Sequence, residues 1–287
     1  MRAAIVSGPR QSVVEAVAIP EPGPGEVRIR VEGCGVCASN VVPWEGPEWM
    51  RFPTEPGGLG HEAWGVVDAL GDPIGDAFGL GDELAVGDRV VTLSQHAYAE
   101  YDIAAAPEVV KLPMGLDGRA FPGEPLGCAM NILARSAIEP GQTVAIVGIG
   151  FLGALLTRLA TDAGARVIAI ARRPFAREVA AEMGAAETLA MDDHWRIIEA
   201  VKDLTDGRFC ERVIEAVGKQ WPLDLAAELT AEAVDVAEDG AGLIEPGLGG
   251  EVARAVIGAG HQRAVGLARA AGLVGEALPD HASLMAR

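Results

Sequence analysis

The chain has 287 residues, of which 49% are hydrophobic, and this composition is typical of a globular protein large enough for two domains. Its 41 acidic and 23 basic residues give a net charge of −18, which excludes binding of nucleic acid or anionic membranes by charge alone. Four cysteines are too few for a disulfide scaffold. Because the first residues, MRAAIVSGPR, lack a long apolar segment and no apolar run reaches about 18 residues, we expect a cytoplasmic protein without a membrane span.

Residues 1–118 are predicted to form a β-rich domain. Short apolar runs alternate with glycine- and proline-rich segments, a spacing typical of a small barrel or sandwich. The predicted strands are Ala3–Val6, Val27–Val31, Gly65–Leu70 and Arg89–Leu93.

Residues 119–230 change to an alternation of strands and helices, which predicts a doubly wound parallel sheet. The predicted strands are Thr143–Val147, Arg166–Ile170 and Arg212–Val217, and the predicted helices cover 151–163, 174–184 and 221–229. Pro174 near the start of the second helix and Gly184 at its end agree with this assignment.

Residues 231–287 form a third, Ala- and Gly-rich segment that contains no aromatic residue. Helical patches are predicted at Glu251–Ile257 and Arg263–Ala271. Since aromatic side chains normally supply much of the buried contact area, we expect a poorly packed, partly helical appendage.

A glycine pattern follows the predicted strand Thr143–Val147 and opens the next helix. In the segment Gly148–Gly153 the first glycine permits a tight turn, Gly150 lets the backbone approach a pyrophosphate, and the last lets helix and strand pack closely. The first helical residues, Phe151 and Leu152, would present backbone N–H groups to the phosphates. A glycine-rich turn without a ligand is the alternative, and the flanking strand and helix disfavour it.

Three residues have the chemistry of a zinc site: Cys37, His61 and Cys128. Each alone has a simpler explanation as a core or hydrogen-bonding residue, but their combination with the glycine loop favours a metal site. Cys34 and Cys37 also have the spacing of a zinc knuckle or redox pair, but no second Cys-x-x-Cys accompanies them. We therefore interpret Cys34 as a small buried side chain, and Cys210 as a core residue.

Six motifs in order, GCGVCASN, GHE, VGDRV, AEY, LGCAMN and TVAIVGIGFLG, resemble the medium-chain zinc-dependent alcohol dehydrogenase family over residues 1–230. The resemblance implies an α/β protein with a chaperonin-10-like β-rich catalytic domain and a Rossmann domain. It also implies that Cys37, His61 and Cys128 hold one catalytic Zn²⁺, a ligand set for which alcohol dehydrogenase is the standard example. Glu62 would be the acidic neighbour that can approach the metal, and Ser39 the hydroxyl that exchanges a proton with the bound alcohol.

The chain departs from the family pattern at four places. Asn40 replaces the usual Asp, which is expected to weaken the orientation of His61, and Val42 replaces a His found in many members. The four-cysteine lobe that holds a structural zinc is absent from the sequence, so we predict one zinc per chain. Residues 231–287 do not resemble the family's C-terminal continuation, which predicts a truncated or replaced C-terminus. A homo-oligomer is compatible with the family, but no dimer-edge strand is recognisable.

The resemblance predicts hydride transfer between a nicotinamide cofactor and a small alcohol or carbonyl compound, for example a secondary alcohol or polyol. The alternatives are a zinc-free enzyme of the quinone-reductase type and an inactive nucleotide-binding protein. For the cofactor, the strand Arg166–Ile170 is followed by Arg172 and Arg173, with no acid before Glu178. An acid at this place would select NAD, whereas two arginines suit a 2′-phosphate. NADP is therefore favoured over NAD.

Overall fold

A computed structural model describes residues 1–71 and 84–231, and the backbone of Ala253–Arg254. The described residues fall into two compact units, Met1–Gly127 and a second unit that begins at Cys128. No helix within these residues is both long and apolar enough to cross a bilayer.

The first unit is built from antiparallel strands. Its strands are β1 (Arg2–Gly8), β2 (Gln11–Ala16), β3 (Glu26–Gly35), β4 (Glu62–Leu70), β5 (Arg89–Thr92), β6 (Tyr101–Ala105) and β7 (Val109–Lys111). β1 and β2 pair with each other, and the other five form a sheet in the order β6-β3-β4-β5-β7. A short helix, α1 (Val41–Glu45), follows β3.

The core of the first unit contains Val27, Ile29, Val67 and Val90. Val27, Ile29 and Val67 alternate with more exposed residues along β3 and β4. The four strands predicted from short apolar runs between glycine- and proline-rich segments are all confirmed. β2 was not predicted, because all its residues are exposed and its sequence therefore carries no apolar alternation.

The second unit is a parallel sheet with helices between its strands. Its elements are α2 (Gly123–Ser136, which begins in the first unit), β8 (Thr143–Val147), α3 (Phe151–Asp162), β9 (Arg166–Ala171), α4 (Pro174–Glu182), β10 (Glu187–Ala190), α5 (His194–Leu204), β11 (Arg212–Glu215), α6 (Gln220–Glu228) and β12 (Ala253–Arg254). The strand order is β10-β9-β8-β11-β12. This is the doubly wound Rossmann order, in which ligands bind outside the carboxyl ends of the strands.

The core beside this sheet includes the buried aliphatic strand residues Val147, Ile168, Ile170 and Val213, together with buried residues of α5 and α6. Cys210 is buried among them, as predicted, and burial raises the pKa of its thiol to about 12. The predicted fold class, a β-rich unit followed by a Rossmann sheet, is confirmed.

One prediction for the C-terminal segment is wrong. Ala253 and Arg254, which were placed in a helical patch, form the strand β12 and pair in parallel with Ile214 and Glu215 of β11. The edge of β11 offers unpaired backbone groups, and pairing with them overrides a weak helical pattern. The remaining predictions for this segment, including Arg263–Ala271 and the poorly packed appendage, lie outside the described residues.

Asp102 in β6 is a buried carboxyl group, with only 3% of its surface exposed. Its Oδ1 accepts a hydrogen bond from the Ile103 N–H at 2.7 Å, whereas its Oδ2 has no hydrogen-bond partner among the described residues. Burial raises the pKa of Asp102, and the hydrogen bond from the Ile103 N–H only partly opposes this effect. The folded protein therefore favours the protonated acid.

We expect Asp102→Asn to stabilise the protein at alkaline pH but not at acid pH. Since the folded-state pKa is raised, the contribution of the protonated acid to stability is full below the unfolded-state pKa and is lost as pH rises through the folded-state value. Thermal unfolding at about pH 4 and about pH 8 tests this, with the exposed Asp117→Asn as control. A variant whose Tm difference from wild type is the same at both pH values would contradict it.

Candidate metal and cofactor sites

The first unit brings together three residues that could bind a metal. One ligand atom each from Cys37, His61 and Glu62 lie within 4.8 Å of one another. Cys37 lies two residues after the end of β3 and directly precedes a 3₁₀ turn, Ala38–Asn40. His61 directly precedes β4, and Glu62 begins it. Since β3 and β4 pair in antiparallel register, with Gly35 opposite Glu62, the end of one strand meets the start of the other.

Gly35 makes room for the Glu62 carboxylate. A Cβ atom on Gly35 would lie 1.9 Å from Glu62 Oε2, so any larger residue would displace the acid. Glu62 is 8% exposed, and burial raises its pKa. The sequence analysis did not identify Gly35 as a site residue; the signal it missed is the glycine two residues before Cys37.

Cys37 rather than Cys34 has the properties of a metal-binding thiolate. Hydrogen bonding with His61 and with Ser39 lowers the pKa of Cys37, although burial opposes this effect. In contrast, burial raises the pKa of the half-buried Cys34 to about 11. A thiol must lose its proton to bind a metal, so of these two cysteines Cys37 is the better ligand.

The His61 ring is held by the backbone. Its Nδ1 lies 3.0 Å from the Leu59 carbonyl oxygen. A carbonyl oxygen can only accept a hydrogen bond, so Nδ1 carries the proton in this contact. Nε2 is then left with the lone pair that a metal ion requires.

Ser39 lies beside this group. It belongs to the 3₁₀ turn Ala38–Asn40 that directly follows Cys37, and its proximity contributes to the lowered pKa of the Cys37 thiol. A hydroxyl at this place can exchange a proton with a group bound at the metal site.

Cys128 lies on α2 in the second unit, half-buried. The structure thus assembles Cys37, Ser39, His61 and Glu62 within one unit, while the role of Cys128 as a ligand stays a prediction. A thiolate, an imidazole and a carboxylate are all zinc donors, so the residues of the first unit fit a zinc ion.

The glycine loop of the second unit has the geometry expected of a phosphate-binding turn. Gly148 has a φ of +101°, and a Cβ on Gly153 would lie 2.1 Å from the Gly148 carbonyl oxygen. Both positions therefore require glycine for the fold itself. A Cβ on Gly150, which directly precedes α3, would meet no atom within 4 Å. The open space at Gly150 lies where the backbone N–H groups of α3 begin, which fits an approaching pyrophosphate.

We expect Gly150→Ala to weaken nicotinamide cofactor binding without loss of stability, because the added methyl group contacts no protein atom but occupies the space of the phosphates. Gly153→Ala should lower both cofactor affinity and stability, since its methyl group would collide with the Gly148 carbonyl oxygen. Cofactor titration by fluorescence and thermal unfolding of the two variants measure this difference. Unchanged cofactor affinity in Gly150→Ala would show that no phosphate approaches this residue.

Arg172 and Arg173 directly follow β9 at the carboxyl edge of the parallel sheet. Both side chains are exposed. The Arg177 guanidinium donates hydrogen bonds to the carbonyl oxygens of Ala171 and Arg172, at 3.1 and 3.2 Å, and so fixes the backbone from which the two arginines extend. The structure thus places them at the edge where a dinucleotide binds in this fold.

Comparisons with known proteins identify the family of this chain. The family model described as "Alcohol dehydrogenase GroES-like domain" matches residues 23–123, and the one described as "Zinc-binding dehydrogenase" matches residues 152–247. The chain belongs to the medium-chain zinc-dependent alcohol dehydrogenase family. The second match continues 17 residues beyond position 230, so the resemblance of this chain to the family extends further than its motifs indicate.

The proteins similar to this chain carry names of different activities. A sorbitol dehydrogenase from Halalkalibacterium halodurans is 31% identical over 69% of this chain and 65% of its own length. A quinone oxidoreductase from Pseudomonas aeruginosa is 31% identical over 71% of this chain and 62% of its own length. A mycobacterial protein solved in complex with NADPH is 28% identical, with a TM-score of 0.69 over 81% of this chain and 71% of that one. The chain thus spans slightly less than two thirds of either curated relative.

Proposed function

We propose that this chain acts as a zinc-dependent oxidoreductase that transfers a hydride between a nicotinamide cofactor and an alcohol or carbonyl substrate. The observation that carries the proposal is the convergence of Cys37, His61 and Glu62 within 4.8 Å, with the pKa of Cys37 lowered by His61. A phosphate-binding glycine loop in the second unit supports it. Cys128 is proposed as the third zinc ligand, since thiolate–imidazole–thiolate is the ligand set of the family.

Each residue has a distinct task in this reaction. Zinc, when bound, supplies a Lewis acid that polarises the substrate oxygen, and the nicotinamide supplies or accepts the hydride. Cys37 and His61 hold the metal, the Leu59 carbonyl keeps Nδ1 of His61 protonated, and Ser39 passes a proton at its hydroxyl oxygen. Gly148, Gly150, Phe151, Leu152 and Gly153 would hold the pyrophosphate.

We further propose a secondary alcohol or polyol as the substrate class, supported by the similarity to a sorbitol dehydrogenase. The relative named quinone oxidoreductase raises the alternative of a zinc-free reductase. That alternative is not favoured, because such an enzyme has no use for a thiolate, an imidazole and a carboxylate brought to one place. Steady-state turnover of a panel of polyols and quinones, before and after metal removal, tests the choice; a quinone reduced equally fast without zinc would refute the proposal.

The cofactor is proposed to be NADP(H). No acid lies between the end of β9 and Glu178, and the exposed Arg172 and Arg173 offer guanidinium groups that match a phosphate. The similarity to a protein solved with NADPH supports this choice.

We expect Arg172→Ala/Arg173→Ala to lower the ratio of kcat/KM for NADPH over that for NADH, because only NADPH has the 2′-phosphate. Arg208→Ala is a matched control, since Arg208 is exposed and precedes β11 at the opposite edge of the sheet. A wild type that prefers NADH, or a double variant with an unchanged ratio, would show that these arginines do not bind the 2′-phosphate of NADPH.

A further inference from the structure

Asn40 is a buried amide whose two polar atoms both have partners. It is 9% exposed, and it lies three residues after Cys37, in the 3₁₀ turn that also carries Ser39. Its Nδ2 donates a hydrogen bond to the Leu59 carbonyl oxygen at 2.9 Å, and its Oδ1 accepts one from the Tyr98 hydroxyl at 2.7 Å. The Gly35 carbonyl oxygen lies 3.2 Å from the Tyr98 hydroxyl oxygen and shares its single proton with Asn40 Oδ1.

The Leu59 carbonyl oxygen is the point at which this network meets the metal site. It accepts hydrogen bonds both from Asn40 Nδ2 and from His61 Nδ1. Leu59 has a φ of +75°, a conformation that a branched residue adopts only when its surroundings enforce it. The orientation of this carbonyl group is therefore imposed by its contacts.

The loop that contains Leu59 is held against the segment that contains Tyr98. The Tyr98 N–H donates to the Gly57 carbonyl oxygen and the Ala97 N–H to that of Gly60, both at 3.1 Å. A Cβ on Gly60 would lie 2.3 Å from the Tyr98 nitrogen, so the two segments are in close contact. The Tyr98 side chain and the Leu59 carbonyl group, which both bind Asn40, thus belong to two segments that are hydrogen-bonded to each other.

We propose that Asn40 and Tyr98 position the His61 imidazole for a metal ion by holding the Leu59 carbonyl oxygen. Asn40, which stands where the family usually has Asp, thus supports His61 through its hydrogen bond to this carbonyl group. The inference rests on the proposed zinc function of this site. An amide is required at position 40, because it donates to the carbonyl through Nδ2 and accepts from Tyr98 through Oδ1. A carboxylate has acceptors only, and would place an oxygen against the Leu59 oxygen. Asn40 and Tyr98 are positioning residues, since they act on His61 through Leu59.

Zinc titration of the full-length protein against a competing chelator tests the proposal. We expect Asn40→Asp and Asn40→Leu to bind zinc about 10- to 100-fold more weakly than wild type, as is usual when the partner of a ligating histidine is lost. Gln11→Glu is the matched control, because it makes the same amide-to-acid change at an exposed position of β2. If Asn40→Asp binds zinc as tightly as wild type, an acid serves as well as the amide and the proposal is wrong.

The contribution of Tyr98 has its own control. We expect Tyr98→Phe to weaken zinc binding, and Tyr98→Phe/Asn40→Leu to be no weaker than Asn40→Leu alone, because both residues act through one carbonyl group. Tyr101→Phe removes the other tyrosine hydroxyl of the chain and should bind zinc as wild type does. Fully additive losses in the double variant would contradict a shared network.

The protonation site of the His61 ring separates this inference from the proposed function. Two-dimensional ¹H–¹⁵N spectra of zinc-free protein, at a pH where the ring is neutral, should show the proton on Nδ1 in wild type and a mixture of tautomers in Asn40→Leu. A wild-type ring protonated on Nε2, or an unchanged ring in Asn40→Leu, would overturn the inference. Failure of the proposed function would instead appear as a wild type that binds no zinc.

Discussion

Ser39→Ala is expected to lower turnover by about 10²- to 10⁴-fold, the usual contribution of a positioned proton-transfer group. Ser39 lies two residues after Cys37 in the 3₁₀ turn Ala38–Asn40, and so close to the proposed metal site. Val42 is largely exposed and has no titratable group, so it offers no second proton path from the position where many family members have histidine. Cofactor affinity should stay unchanged, because Ser39 has no part in the glycine loop.

The measurement is kcat across the pH range together with cofactor affinity and zinc content, with the exposed Ser12→Ala as the matched control. The zinc content matters, because Ser39 helps to lower the pKa of Cys37, so that its loss could also weaken metal binding. A variant that retains zinc and loses turnover fits proton transfer. A variant with wild-type turnover at every pH would make Ser39 a packing residue and require another proton path.

Cys37→Ser should lose its zinc and lower turnover by at least about 10³-fold, since Lewis-acid stabilisation amounts to several kcal/mol and each 1.36 kcal/mol corresponds to a factor of about ten. Cys34→Ser is the control, because Cys34 lies three residues away and burial raises the pKa of its thiol to about 11. Elemental analysis and turnover of both variants distinguish the two cysteines. Loss of zinc in Cys34→Ser with full zinc in Cys37→Ser would reverse the ligand assignment.

The sequence predicts those strands that are apolar runs bounded by turn residues. Thr143–Val147 has the predicted bounds, because a fully buried strand between turn residues leaves little ambiguity. β2 and β12 were missed for the opposite reason: the first has no buried face, and the second depends on pairing with β11, which no local pattern encodes.

In the candidate site, too, some residues were predictable from the sequence and others were not. Cys37 and His61 were predictable because their residue types carry the chemistry. Gly35 was not, since its importance comes from the register that sets it opposite Glu62. The Leu59 carbonyl was not either, because a backbone atom has no signature in the sequence. Asn40 was interpreted as a weakened Asp, whereas its hydrogen bonds to Leu59 and Tyr98 depend on two loops that are distant in sequence.

Zinc content measured together with turnover tests the central claim most directly. Wild-type protein is depleted with a chelator, reloaded with graded amounts of zinc, and assayed for zinc per chain and for oxidation of a polyol or secondary alcohol with NADP. A single site formed by Cys37, His61 and Cys128 predicts that turnover rises in proportion to zinc and saturates at about one ion per chain. Full turnover in the zinc-free protein, or saturation at two ions per chain, would contradict the account.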